Sequence, residues 1–583
     1  MISNGEIVRI LREIGEYLEM QNVAFKPRAY QKAADVIESL QEEVVHSYQM
    51  GGLKALKEMS GVGESIAEKI EELIRTGKLK YYEQLKKKAP VNLSQLTAVE
   101  GLGPKKIRAL YQKLGIKNLK DLERAAKAGK IRDLEGFGRK TEESILTGIG
   151  FVKKSSGRVS LGAALPLARE FEKRLRGLKD VQIAQFAGSV RRRKETIGDI
   201  DLLVISDNPK PAMSYFISMP EVGRVLAHGD TKASVTLKSG LDVDLRILPK
   251  ESYGSALNYF TGSKEHNVAL RQLAIKKGWK LSEYGLFKAT SDKGQGTRIA
   301  GKSEEKLYKM LGLDYIEPEL REMTGEVEAA QKRKLPAVIG YGDLRGDLQV
   351  QSNWTDGADS IEEMAKAAMA AGLEYIAITD HTKRLAMTHG LDEKRIQQQW
   401  KEIDKLNAKL KSQKSKFLIL KGTECDILKD GSMDLPDKIL ARLDIVGASV
   451  HSHFNLSIKE QTERIKKAMR NPHVDILFHP TGRLIQKREP YDVDMDELIG
   501  IAKETGTVLE IDAFPDRLDL KDEYIRKCVA AGVKMTIDSD AHSKFHFSVL
   551  EFGIAQARRG WAKRSDIINA WPLEKMLDFL KKK

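Results

Sequence analysis

The spacing of apolar residues changes character along this chain. Up to about residue 150 they recur every three or four positions, as in "NGEIVRILREIGEYLEM", and short glycine-containing turns separate the segments. That period predicts amphipathic helices, with almost no alternating β-branched runs. From about 180 to 300, short apolar runs such as "DIDLLVI" and "VDLRIL" predict strands, mixed with helical stretches such as "NVALRQLAIKKG". Residues 317–337, "EPELREMTGEVEAAQKRKLPA", are charged and approach their end through a proline, which predicts a linker or connecting helix. From 338 onward strands alternate with helices: "YIAITD", "DIVGASV", "DILFHP", "TVLEID", "KMTIDSD". Such alternation predicts parallel strands, in an α/β barrel or an open sheet.

Composition narrows the class. At 583 residues the chain predicts three or four domains. A hydrophobic content of 41% with 31% charged residues is globular, and no apolar run approaches a membrane span. The first twenty residues read as an amphipathic helix, not a signal peptide. Only Cys425 and Cys528 are present, which suits a reducing cytoplasm. The net charge of +15 points to a polyanionic partner, most often nucleic acid. Eight of the eleven histidines fall after residue 338, which places a histidine-dependent site there.

Three segments share one grammar: "SGVGESIAEKI", "EGLGPKKIRAL" and "EGFGRKTEESI". In each, Gly-x-Gly precedes a helix whose first N–H groups face an anion. Gly61 and Gly63, Gly101 and Gly103, and Gly136 and Gly138 would each hold one DNA phosphate. The pattern resembles the helix-hairpin-helix motif, which grips DNA without reading its sequence.

The strongest chemistry lies in "FAGSVRRRKETIGDIDLLVI". Asp199 and Asp201, at i and i+2 of a predicted strand, present both carboxylates on one face. Such a pair suits two Mg²⁺ ions that clamp the attacking and leaving oxygens of a phosphoryl transfer. A third carboxylate is required from a neighbouring strand, and "LDVDLRIL" offers Asp242 and Asp244. Gly188 and Ser189 would form a turn that meets a triphosphate, with Arg192 as its cation.

"GS…RR…GDIDLLV" resembles the nucleotidyltransferase signature, and the following "VDLRILPKESYGSALNYFTGSKEHNVALRQLAIKKGWKLSEYGLF" resembles the palm and thumb of DNA polymerase beta and its family X relatives. The helices before it resemble the same polymerase's small DNA-end-binding domain, so the likeness covers about residues 1–316. It implies that Asp199, Asp201 and Asp244 bind metal, with Asp244 also beside the primer 3′-OH. It implies phosphate contacts from Gly188, Ser189, Arg192 and Gly198. Tyr259 and Phe260 would lie against the sugar, Gly262 would belong to the same nucleotide-binding set, and Asn267 and Arg271 would contact the incoming base and the template. Ile197 departs from the small polar residue usual beside Gly198. The small domain implies a 5′-deoxyribose-phosphate lyase with Lys69 as nucleophile, supported by Lys26 and Tyr30, although Ser65 replaces a helper lysine.

Residues 338–575 resemble the polymerase and histidinol phosphatase (PHP) domain, which in such polymerases is usually a Mn²⁺-dependent 3′-5′ exonuclease on a distorted barrel of about seven strands. The likeness implies metal ligands at Asp356, His381, Glu424, His451, His479, Asp540 and His542, a mix that suits Mn²⁺ or Zn²⁺. The family's opening His-x-His is Gln349-x-Gln351 here, and Asp512 stands in place of an asparagine. Two losses on one metal position predict that hydrolysis is lost or much weakened. The alternative is a nuclease still active, retuned to a harder ion such as Mg²⁺.

The expectation is therefore a multidomain α+β and α/β chain. Its parts are a lyase-like helical domain (1–88), a second helical DNA-binding subdomain (89–152), a nucleotidyltransferase palm (153–250), a thumb (251–316), a linker (317–337) and a (β/α)7 PHP barrel (338–575). It would be a monomeric, cytoplasmic polymerase, nucleoid-associated when on DNA. It would take gapped or primer-template DNA and dNTPs, with two Mg²⁺, or Mn²⁺ in their place, for gap filling in base excision repair. A nuclease carried by the C-terminal domain, or a non-enzymatic DNA-end-binding scaffold, are the competing classes.

Overall fold

The computed structural model describes residues 2, 4–38, 44–59, 61–99, 101–155, 157–288, 296–385 and 388–581. They divide into two units, Met1–Ser156 with Leu484–Glu489, and Gly157–Arg483 with Pro490–Lys583.

The first unit is helical, as the period of three to four predicts. In its opening helix, Asn4–Met20, the residues Ile7, Leu11, Ile14 and Leu18 follow that spacing and are buried. Each Gly-x-Gly turn has its first glycine in the left-handed region, with φ of 88° at Gly61, 76° at Gly101 and 80° at Gly136. A side chain there would be strained. Gly63 and Gly103 then cap α1 (Glu64–Thr76) and α2 (Pro104–Leu114) in extended conformation, and neither cap is closed by a side chain. Gly138 leads into α3 (Arg139–Ser155).

The second unit contains two sheets that matter for chemistry. The first has five strands, β1 (Ile183–Phe186), β2 (Asp199–Ile205), β3 (Val222–His228), β4 (Lys232–Leu237) and β5 (Asp242–Leu248), in the order β1-β2-β5-β4-β3. β2 and β5 run parallel, and the other pairs are antiparallel. Helices Tyr253–Thr261 and Lys264–Lys276 and a small antiparallel sheet follow. The segment 317–337 forms a 3-10 turn, Pro318–Leu320, and a helix, Glu326–Gln331. It is packed: Arg321 and Glu326 are both 0% exposed. Arg321 donates to Glu304 at 2.6 Å, and Glu304 also takes a bidentate pair from Arg191 at 2.6 and 3.0 Å.

The second sheet has seven parallel strands in sequential order: β6 (Gly346–Val350), β7 (Tyr375–Ile378), β8 (Leu418–Asp426), β9 (Ile445–Ser449), β10 (Ile476–Leu477), β11 (Val508–Asp512) and β12 (Met535–Asp538). The Gln351 N–H donates to the Ala541 carbonyl at 2.8 Å, and the Ala541 N–H donates to the Gln349 carbonyl at 3.3 Å. These bonds bring the first strand against the end of the last, so the sheet nearly closes into a barrel. Its strands are almost wholly buried, including the polar residues Asp347, Gln349, Glu510, Asp512 and Asp538.

Glu304 carries two guanidinium groups in a site that excludes water, and Arg321 has no exposure with which to recover hydration. Glu304→Gln should cost about 3 kcal/mol of stability, because it leaves buried charge uncompensated. Urea unfolding of the full chain measures it, and a loss below about 1 kcal/mol would place the triad's charges in solvent.

Candidate active sites

The parallel register of β2 with β5 sets Asp199 beside Asp242 and Asp201 beside Asp244. The expected trio of Asp199, Asp201 and Asp244 is thereby drawn together at the starts of two central strands, at one end of the sheet. Burial, then Asp199 and Asp244, push the Asp201 carboxyl up to about 7. Asp199 is raised by burial and then by Asp244. Crowded acids that cannot all ionise suit a site completed by divalent cations.

The turn beside them is shaped by the same acids. Gly188 has φ of +59°, and a Cβ there would overlap the Asp201 carboxylate. Only glycine lets this backbone approach. The Ser189 hydroxyl is buried without a hydrogen-bond partner, and so is available to a phosphate oxygen. Arg192 Nε donates to Glu322 at 2.9 Å, and its Nη1 donates to the Thr261 carbonyl. Gly262, at φ of +71°, leaves room for that guanidinium. Ile197 is buried in a short pairing with Val159.

Asn267 donates to the Tyr259 carbonyl at 2.7 Å and so fixes the end of the Tyr259–Phe260 pair, whose rings meet edge to face at 5.2 Å. Arg271 lies on the same helix, its Nε 3.4 Å from the Asn267 carbonyl. Two cations were not singled out in the sequence. Arg158 donates to the Thr196 hydroxyl at 3.0 Å, lies against Gly198 and offsets part of the rise at Asp199. Lys232 Nζ is 3.7 Å from Asp244. Neither sits in a motif, and only the sheet order brings them here.

In the helical unit, Lys69 lies on α1 and donates to the Ser65 carbonyl at 2.9 Å and hydroxyl at 2.8 Å. Burial pulls its ammonium below the ordinary lysine range, and Lys26 adds to the effect. Tyr81 lies under its Nζ at 5.1 Å. Tyr30 is buried.

The barrel gathers its histidines at the C-terminal ends of the strands. Ligand atoms of Asp356, His381 and His542 lie within 4.8 Å of one another, as do those of His381, Glu424 and His451. His479 Nε2 is 2.8 Å from Glu424. Burial alone would raise Glu424, but His381 and His451 hold it well below the carboxylate range. His479 and Asp540 take positive φ, 30° and 49°. Side chains seldom adopt that backbone unless the surroundings impose it. Two imidazole–carboxylate trios of this kind fit Mn²⁺ or Zn²⁺.

The third corner carries amides where the other two carry imidazoles. The Gln351 amide nitrogen donates to Glu424 at 2.8 Å. The Gln349 amide, in the orientation its neighbours require, donates to Glu510 at 2.5 and 3.3 Å. Each glutamine therefore turns N–H toward an acid. Arg517 Nε lies 3.3 Å from Asp512 and 3.5 Å from Asp540, so a fixed cation already serves that side. The acids behind it, Glu510 and Asp512, are raised well above the carboxylate range by burial and then by their acidic neighbours. Glu510 and Arg517 were not foreseen from the sequence.

Comparison with known proteins follows the same division. Residues 2–79 match the helix-hairpin-helix domain family, 93–149 the SAM-like helix-hairpin-helix tandem, 256–322 the DNA polymerase beta thumb and 347–511 the PHP domain. The chain is 39% identical over 580 residues to "DNA polymerase/3'-5' exonuclease PolX" of Bacillus subtilis (strain 168), covering 99% of both chains. It is 25% identical over 343 residues to DNA polymerase lambda of Rattus norvegicus, covering 55% of this chain and 56% of that one.

The Asp201 carboxyl has a folded pKa above its ordinary 3.8. Its stabilising proton is fully present below about 3.8 and is lost as pH rises through about 7. Without metal, the melting temperature should therefore fall more steeply between about pH 5 and pH 8 in wild type than in Asp201→Asn, by a few degrees at about 3 °C per kcal/mol. Mg²⁺ should restore it in wild type alone. Scanning fluorimetry in chelator and in Mg²⁺ measures both, and parallel curves would separate Asp201 from the metal site.

Proposed function

The chain belongs to the family X DNA polymerases that carry a C-terminal PHP domain, and from that membership we propose that it fills short gaps in DNA during base excision repair. It is a DNA-directed DNA polymerase. The observation that carries the site assignment is the in-register pairing that puts Asp199, Asp201 and Asp244 together at one end of the sheet, against a turn that only Gly188 allows. Two Mg²⁺ held by these acids would lower the pKa of the primer hydroxyl and neutralise the departing pyrophosphate. Asp244 faces the 3′-OH and Ser189 donates to the triphosphate. Arg192 turns to the triphosphate from Glu322, and Tyr259 and Phe260 bear on the sugar. The uncapped Gly-x-Gly helix starts hold the backbone phosphates, so binding is steeply salt-dependent. The enzyme acts as a monomer in the cytoplasm.

The exonuclease of the Bacillus relative is lost or much weakened here. Support comes from Gln349 and Gln351, whose amides donate to acids, and from Arg517 between Asp512 and Asp540. A 5′-labelled primer in a short gapped duplex tests both activities. Extension should require dNTPs and vanish in Asp201→Ala while gapped-DNA affinity stays within about twofold. Shortening without dNTPs that persists in Asp201→Ala would overturn the loss of the exonuclease. Equal loss of extension and of DNA binding would point to misfolding.

A second activity is favoured by Lys69, whose partly desolvated amine is more available as a nucleophile at neutral pH. The amine adds to the aldehyde of a 5′-deoxyribose phosphate and water leaves, giving a Schiff base. Borohydride should trap this adduct on incised abasic DNA. Lys69→Ala should reduce trapping at least tenfold (about 1.4 kcal/mol) without affecting primer extension, and undiminished trapping would assign the chemistry to another amine.

A further inference from the structure

The nucleotide-phosphate turn of the palm is held from the C-terminal domain. The helix α4 (Leu550–Arg559) lies in the barrel domain and ends in two successive arginines, each 8% exposed. Arginines this deeply placed need partners, and both find some of them outside their own barrel domain. Arg558 donates to Glu319 at 2.9 Å and lies 3.2 Å from Glu317, at the start of the connecting segment. Arg559 makes three contacts. Nη1 donates to the carbonyl of Arg192 at 3.0 Å and to Glu322 Oε1 at 3.1 Å, and Nη2 donates to Asp522 at 2.6 Å. Glu322 Oε1 is the same atom that accepts from Arg192 Nε at 2.9 Å. Lys194 approaches the other oxygen at 3.8 Å.

We propose that Arg559 is a positioning residue for the polymerase reaction: it anchors the backbone of the triphosphate-binding turn and shares Glu322 with Arg192, so that Arg192 can leave Glu322 for the nucleotide. The inference rests on the polymerase reading, and specifically on Arg192 as a triphosphate contact. As Arg192 turns, Glu322 keeps Arg559 and Lys194 as counter-charges and is not stranded as a buried anion. Removing Arg559 acts twice in the same direction. The turn loses its carbonyl tether, and Glu322 grips Arg192 harder because its competitor is gone.

Arg559→Ala should raise the KM for dNTP roughly tenfold, the worth of about one charge-assisted hydrogen bond, with kcat little changed. Adding Glu322→Gln to it should bring KM back down, because the carboxylate that traps Arg192 is neutralised. A purely architectural role would move neither in this pattern, and the double variant would then be the worse enzyme. Thermal unfolding and gapped-DNA affinity of the full chain run alongside. If Arg559→Ala does not fold, Arg559→Lys replaces it. A single ammonium can pair with Glu322 or Asp522 but cannot also reach the Arg192 carbonyl, so a severalfold rise remains expected. Nucleotide affinity is also read without chemistry, by titrating dNTP into the Mg²⁺ complex on gapped DNA with a dideoxy-terminated primer. A wild-type chain that fails to extend DNA would sink the polymerase reading, and the Kd comparison would still decide the role of Arg559. An unchanged KM and Kd in whichever variant folds, or no recovery with Glu322→Gln, overturns the proposal.

Discussion

Parallel pairing of β2 with β5 is the constraint on which the catalytic half depends. It places two acid-bearing strand ends side by side in register, Asp199 with Asp242 and Asp201 with Asp244. Like charges so placed oppose folding unless protons or cations intervene. The surroundings answer that demand only in part. Arg158 and Lys232 approach from two sides, and Gly188 surrenders a side chain so that backbone can lie against Asp201. The remaining demand goes unmet within the chain, which is what the proposed metal site would draw on.

Much of this was legible in the sequence, because it depends on local period. Two aspartates at i and i+2 share a face wherever a strand forms. Gly-x-Gly before an amphipathic run announces a tight turn and an open helix start, and the positive φ at Gly61, Gly101 and Gly136 agrees. Alternating strands and helices after 338 announced parallel strands, and sequential order β6 to β12 bears that out. Residues that work through distant partners have no such signature. Arg158, Lys232, Glu510 and Arg517 each sit in unremarkable local sequence and matter only because tertiary packing brings an acid or an amide against them. The same holds for residues 317–337, whose charges read as those of a solvated connection. Glu304 and Arg321 bury one another there, and Glu319, Glu322 and Glu326 find Arg558, Arg559 and His266.

The two acidic sites differ in where their compensating charge resides. At the palm, the nearest cations stand beside the trio and leave Asp201 under strong repulsion, so an ion gains a full share of the field. In the barrel, two trios keep that character; at the third corner amide N–H groups meet Glu424 and Glu510 and Arg517 stands between Asp512 and Asp540, while Glu510 and Asp512 stay well above the carboxylate range. The domain also has a structural part that does not depend on its own chemistry. Its α4 arginines occupy acids of the segment that joins it to the thumb and reach the phosphate turn of the palm. Those contacts are made by a helix that follows the last barrel strand, so the barrel domain bears on the palm whether or not its own site hydrolyses DNA.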